Sequence, residues 1–306
     1  MAGCSLGVIV YNEENNIRQN LDSILRQEIA PGIIDEIIVI SSGCTDKTEE
    51  IVRELSVRDP RIRLLIQRER LGKASSINLF LKEAKGEIRI LCNGDLVLDS
   101  DALRKLIEPF LDPAVGMTGM RLVPMDDSNT LAGFVVRFMW QLHHEVARIY
   151  PKLGEVVAFR NAVEKIPENT PVDEATIEAI VIEKGYRLHY ISNAIARIRT
   201  PSNIKDFIIQ RRRIAFGHLW LKEKYRYIPP TRRKLLLIKM LSVNTDLILK
   251  FKFFIFISMF LESIGRVLGL CDFYIGKKEH HIWMIAKSSK SRRQPPLPGA
   301  HYKSVE

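Results

Sequence analysis

The sequence is poor in cysteine. Its 306 residues include four, Cys4, Cys44, Cys92 and Cys271, with no Cys-x-x-Cys pair. That excludes a disulfide scaffold or a zinc ribbon and fits a reducing compartment. No secretory leader is expected, because the opening apolar run at 6–10 is too short and Asn12-Glu13-Glu14 follows at once. Long hydrophobic runs are missing as well. In the C-terminal third the longest uncharged apolar run is 253–261, bounded by Lys252 and Glu262, with Lys250 and Arg266 just beyond. A bilayer core takes ~20 mostly apolar residues, so this run predicts an interfacial or re-entrant segment rather than a simple span. With 46% apolar and 27% charged residues, a disordered or collagen-like chain is excluded.

Charge is abundant but unevenly placed. Residues 1–200 hold 29 acidic and 25 basic side chains, whereas 201–306 hold 7 and 21, so the whole basic excess lies in the last third, beside its most apolar stretch. Such asymmetry predicts an anionic surface as partner. No aromatic–basic interleaving or known binding motif favours nucleic acid, so an anionic membrane surface is expected and nucleic acid is not.

Short β-branched runs alternate with helical patterns over the first 125 residues. Strands are predicted at 6–11, 36–40, 61–67 and 88–92, with helices after each of the first three, the second capped by Thr45-Asp46. Repeated β-then-α units predict an α/β fold with a mostly parallel sheet flanked by helices, and ligands in such sheets bind at the carboxyl ends of the strands. Further on, strands are predicted at 115–124, 156–160, 187–191 and 194–199, and helices at 129–150 and 172–184. From 203 the pattern is helical and basic, and 287–306 reads as a flexible basic tail.

Polar clusters stand at three predicted strand ends: Asn12-Glu13, Ser41 to Asp46, and Asn93-Gly94-Asp95. Asp95 is placed to hold a hard divalent cation, Mg²⁺ or Mn²⁺, against a diphosphate, although all three residues of that last cluster are also ordinary turn formers. Lys73 follows Gly72 at a helix start, where a cation steadies phosphate charge. Asp173-Glu174 opens another helix, either to complement its dipole or to supply a general base. Arg211, Arg212 and Arg213 are consecutive, so they cannot all face one way on a helix. The pairs His143-His144 and His280-His281 diverge for the same reason and make poor chelates.

Taken in order, these segments resemble glycosyltransferase family 2, inverting enzymes of the GT-A fold. The resemblance rests on Val8 to Glu14, Ile38 to Asp46, Gly72 to Asn78, Asn93-Gly94-Asp95, Gly154 to Arg160, Asp173-Glu174 and Gln210-Arg211-Arg212-Arg213, spread over about residues 4–220. It implies a GT-A (Rossmann-like) catalytic domain at 1–202, an apolar, basic, membrane-associated helical extension at 203–286 and the tail at 287–306.

The resemblance also implies roles. Tyr11, Asn12, Glu13 and Ser42 would flank the base and ribose of a UDP- or GDP-linked sugar donor, with Asp46 bracing that loop. Lys73, Asn93 and Asp95 would address the diphosphate, Asp95 through Mg²⁺ or Mn²⁺. Glu174 would be the catalytic base, with Asp173 the contender, and Gln210, Arg212 and Arg213 would close over diphosphate and acceptor. The acceptor implied is a lipid or lipid-linked glycan at the cytoplasmic face of a membrane. Four features depart from the family pattern: Ser41-Ser42 and Asn93 replace usual acidic residues, the acidic pair runs Asp-Glu, and Ile214 replaces the tryptophan associated with processive synthases. The last implies transfer of one sugar per acceptor. The departures also leave open a catalytically silent relative that partners another transferase.

Overall fold

The computed structural model describes residues 3–30, 32–125, 130–201, 203–230 and 245–276. The His280-His281 pair and the tail at 287–306 lie outside them.

Eight strands form one mixed sheet in the order β3-β2-β1-β4-β7-β6-β8-β5. The first half is parallel: β1 (Cys4–Val10), β2 (Ile34–Ser42), β3 (Ile62–Gln67) and β4 (Ile88–Asn93) alternate with α1 (Ile17–Leu25), α2 (Thr48–Arg58) and α3 (Lys73–Glu83). Beyond β4, β7 (Val157–Arg160) runs antiparallel to both β4 and β6 (Val115–Pro124). β8 (Arg187–Ile198) pairs parallel to β6, and β5 (Leu96–Leu98) pairs antiparallel to β8 at the edge.

Both faces of the central strands are covered, so those strands are apolar throughout rather than alternating with polar residues. Val8, Val10, Ile37, Val39, Ile90 and Cys92 face one layer together with Leu21 of α1 and Leu55 of α2. Ile9, Ile38, Ile40 and Leu91 face the other, against Ile77 and Phe80 of α3. That second layer also holds Ile177 and Val181 of α6 (Asp173–Glu183). Gly7 interrupts β1 on this side because a Cβ there would lie 2.6 Å from the Phe80 ring.

Three differences from the sequence expectations have local causes. The strands expected at 187–191 and 194–199 are one strand, β8: Met120 pairs with Ile191 and Arg121 with Ile195, so the intervening residues bulge out without ending the ladder. Neither β5 nor α4 (Ala102–Ile107) was anticipated, each being too short to show a period. α2 begins at Thr48, two residues past Asp46, whose Oδ1 still accepts the Thr48 N–H at 3.0 Å.

Three long helices flank the far half of the sheet: α5 (Leu131–Ile149), α7 (Ile204–Tyr225) and α8 (Thr245–Cys271). Val135, Val136, Phe207 and Leu261 form a small core among them. α8 lies close on α7 because two of its residues lack side chains: a Cβ on Gly265 would be 2.6 Å from the Arg211 Cβ, and one on Gly269 would be 2.7 Å from the Ala215 Cβ. Glu262 accepts from Arg211 (2.8 Å) and from Arg266 (2.8 Å), and Asp272 pairs with Arg212. The charges that interrupt the apolar run are thereby neutralised on the protein side. The helical stretch Phe253–Gly276 is long and apolar enough to cross a membrane by length and composition, where the sequence predicted an interfacial or re-entrant segment. Phe253, Phe256, Phe260, Val267, Leu270 and Tyr274 form an exposed stripe along it at helical spacing, the first two 69% exposed.

Candidate active site

The loops after β1 and β2 are laced together at the carboxyl end of the sheet. Asn12 sits in the left-handed region (φ 51°), and its Oδ1 accepts the Thr45 N–H at 2.8 Å. The Glu13 N–H donates to Thr48 Oγ1 (2.7 Å), while Asp46 accepts the Glu14 N–H (3.1 Å). Glu13 itself is buried and accepts from Asn16, so its carboxylate supports the loop from within. The Arg70 guanidinium lies 4.4 Å from the centre of the Tyr11 ring. Ser41 donates to Glu49 at 2.7 Å, and Ser42 is buried beside it.

Next to these loops is a cavity enclosed by the sheet edge and the faces of α5, α6, α7 and α8. Of the residues singled out in the sequence, Lys73, Asn93, Glu174, Gln210 and Arg213 line it. Lys73, at the start of α3, forms an ion pair with Glu174 on the first turn of α6. Both side chains are largely buried, at 12% and 15% exposed. Burial alone would raise the Glu174 carboxyl, but the Lys73 ammonium and its hydrogen bond outweigh burial and hold it below the usual carboxylate range. Burial brings Arg213 down to about 10. Arg213 donates to the Pro171 carbonyl at 2.6 Å, just before the acidic pair.

Asp173 points elsewhere. It is fully buried, and neither carboxylate oxygen accepts a hydrogen bond from another described residue. Burial raises it to about 7, with the Glu174 charge adding to the effect and Lys73 opposing it.

The consecutive arginines diverge as helix geometry requires. Arg211 and Arg213 line the cavity, while Arg212, expected at the diphosphate, turns away to Asp272. Tyr11, Asn12, Glu13, Ser42, Asp46, Asp95 and Asp173 stand outside the cavity lining.

One acidic residue was not anticipated. Glu155 precedes β7 in the left-handed region (φ 54°) and accepts from Asn93 Nδ2 at 3.3 Å. Burial, then the negative charge of Asp95, raises it to about 7. Asp95, Asn93 and Glu155 thus bring two carboxylates and an amide oxygen into one neighbourhood, a donor set that fits a divalent cation completed by phosphate and water. Among the described residues no three His, Cys, Asp or Glu side chains form a self-sufficient cage. The only signal for Glu155 in the sequence was its place after Gly154. Its partner becomes visible when antiparallel pairing sets Leu91 opposite Val157.

Comparison with known proteins places this architecture. The model of "Glycosyl transferase family 2" matches residues 5–172, and that of "Glycosyl transferase family group 2" matches 90–285. Glycosyltransferase AglD of Haloferax volcanii is 31% identical over 113 residues, 35% of this chain and 18% of that protein. An N-acetylglucosaminyltransferase of Rhizobium sp. is 23% identical over 246 residues, 72% of this chain and 53% of its own length. The chain therefore spans about half or less of these relatives. A solved mannosyltransferase from Pyrobaculum calidifontis, in complex with GDP-Man and Mn²⁺, superposes with a TM-score of 0.69 at 19% identity, covering 90% of this chain and 88% of that one, a likeness of fold. With the strand order, the laced loops and the matched segments in agreement, the chain belongs to glycosyl transferase family 2 and has its GT-A fold.

Proposed function

We propose that the protein transfers one sugar from a nucleoside-diphosphate sugar to an acceptor hydroxyl, with inversion at the anomeric carbon. The observation that carries this reading is the Lys73–Glu174 pair on the cavity wall, a phosphate-binding cation beside a carboxylate held ionised. Tyr11 and Arg70, with Asn12 and Ser42, would receive the base and ribose on the loops that Asp46 and Glu13 brace. Lys73 and Arg213 would bind the diphosphate, and Gln210 would lie alongside. A donor diphosphate competes with Glu174 for Lys73 and frees the carboxylate at the moment an acceptor can use it. Glu174 then takes the acceptor proton, and the oxygen attacks from the face opposite the leaving diphosphate. A single displacement needs no covalent sugar–enzyme intermediate.

A divalent cation, when bound, supplies positive charge against the departing diphosphate. Asp95 would hold it, with Asn93 and Glu155 beside it. The solved structure of like fold that contains GDP-Man and Mn²⁺ supports the use of a divalent cation.

The exposed stripe of α8 and the basic excess of the last third support a monotopic position at the cytoplasmic face of a membrane, with residues 203–286 as the attached unit and a lipid or lipid-linked acceptor.

The test is thermal stability of the purified protein with UDP, GDP and their sugar conjugates, each with Mn²⁺, Mg²⁺ or EDTA. A metal-dependent rise for one nucleotide, absent in Asp95→Ala, supports the donor site. No shift at millimolar nucleotide favours a silent partner of another transferase. Configuration of the product, read by NMR of the anomeric proton, tests inversion.

A further inference from the structure

The cavity has two unlike ends. One is the charged cluster of Lys73, Asn93, Glu155, Glu174 and Arg213. The other lies among three helices, each offering one face. α5 presents Val136, Met139, Trp140 and His143 at spacings of three and four, α7 presents Phe207 with Arg211 one turn on, and α8 presents Met259 with Glu262 one turn on. A nucleoside-diphosphate sugar has almost no apolar surface, and the strand-end loops with Lys73 and Arg213 already suit it. The helix-lined half therefore matches a different occupant.

Charge and chemistry narrow that occupant. The cations nearby are engaged by protein carboxylates: Lys152 with Glu178, and Arg211 and Arg266 with Glu262. His143 is driven down to about 3 by burial, so it adds no charge at neutral pH. A base such as Glu174 serves a nucleophile that carries a proton, which a hydroxyl does and an ionised phosphate does not. The apolar wall is continuous with that carboxylate in one cavity, and α8 carries the exposed aromatic stripe on its outer side.

We propose that the helix-lined half of the cavity is an acceptor subsite for a single-chain amphiphile, its hydroxyl-bearing head at Glu174 and its hydrocarbon chain along Met139, Trp140, Phe207 and Met259. The assignment rests on the glycosyl-transfer reading and deepens it. In the reaction the acceptor oxygen forms a bond to the anomeric carbon and the bond from that carbon to the diphosphate oxygen breaks. The electron pair leaves with the diphosphate, and the hydroxyl proton passes to the Glu174 carboxylate.

The experiment uses the purified full chain and primary alkanols from hexanol to dodecanol, the simplest hydroxyl-bearing single chains. Their binding is read by displacement of a dansyl-labelled undecanol, and nucleoside diphosphate release from donor sugar is measured in the same samples. Affinity is expected to rise about fourfold per added methylene, as for burial of a CH₂. Met139→Gln and Met259→Gln should each weaken the longer alkanols at least fivefold while the donor-induced thermal shift is retained. Phe256→Ser, on the outer stripe, should leave displacement unchanged. Displacement that is independent of chain length overturns the subsite, as does displacement that survives both methionine variants and is lost in Phe256→Ser. Normal diphosphate release with either of those results leaves the transferase reading standing. Absence of release with every donor overturns that reading and the subsite with it.

Discussion

Lys73 and Glu174 are 101 residues apart in the chain, and each side chain is the other's ion-pair partner in the cavity. One stands at the start of α3 and the other on the first turn of α6, on neighbouring helices of the same sheet face. On the proposed reading these are the two groups that would meet the leaving group and the nucleophile.

Removing Lys73 therefore acts on both. In Lys73→Met, burial of Glu174 is no longer outweighed by the ammonium, so its carboxyl rises. The acid limb of the pH–rate profile should move toward neutrality, and donor affinity should fall. Glu174→Gln should lower kcat by roughly 10²–10⁴-fold with little change in donor affinity. A Lys73→Met profile superimposable on that of the wild type would refute the pairing as a control on the base.

Asp173 carries a prediction about stability. Its carboxyl is raised to about 7 in the folded chain from an ordinary value of 3.8. The folded state therefore binds this proton more tightly than the unfolded state, and stability falls as pH rises from about 4 to about 7. Asp173→Asn should flatten that slope in denaturant titrations across the same range. An unchanged slope would place the pH dependence elsewhere.

Glu155 and Asp95 repel each other without a cation. Glu155→Gln should make the metal-free protein more stable at neutral pH and shrink the stabilisation that Mn²⁺ brings in the presence of nucleotide. Calorimetry with and without EDTA reads both effects. A variant that loses stability in EDTA would argue for a structural role.

The outer stripe of α8 makes a separate prediction. Replacing Phe253, Phe256 and Phe260 together by serine removes apolar surface worth at least about 1.5 kcal/mol per fully inserted ring, and partial insertion lowers that figure. Binding to vesicles of anionic lipid should fall at least a hundredfold, with the circular dichroism spectrum unchanged. Equal binding by the variant would move the attachment to the basic surface alone.

Much of the catalytic half was legible in the sequence because its elements are local. β1 to β4 with α1 to α3 show their periods directly, and Lys73, Asn93 and Glu174 follow from strand ends and helix starts. What escaped depends on distant pairing. Glu155 takes its place from the antiparallel register of β4 and β7, and the fate of Arg212 depends on Asp272, sixty residues on. The same holds for α8: Glu262 and Arg266 break its apolar pattern in sequence, yet their ion pairs with α7 and with each other return them to the protein side. Local periodicity carries no information about such partners.

The close seating of Gly265 and Gly269 on α7 has a geometric consequence. The helix proposed to touch lipid and the helix that carries Gln210 and Arg213 are seated directly on one another, so on that reading the cavity wall they share would stand at a fixed height above the plane in which the aromatic stripe rests. Such an arrangement would act as a depth gauge, selecting acceptors by how far their reactive hydroxyl protrudes from the bilayer as well as by the head group that bears it.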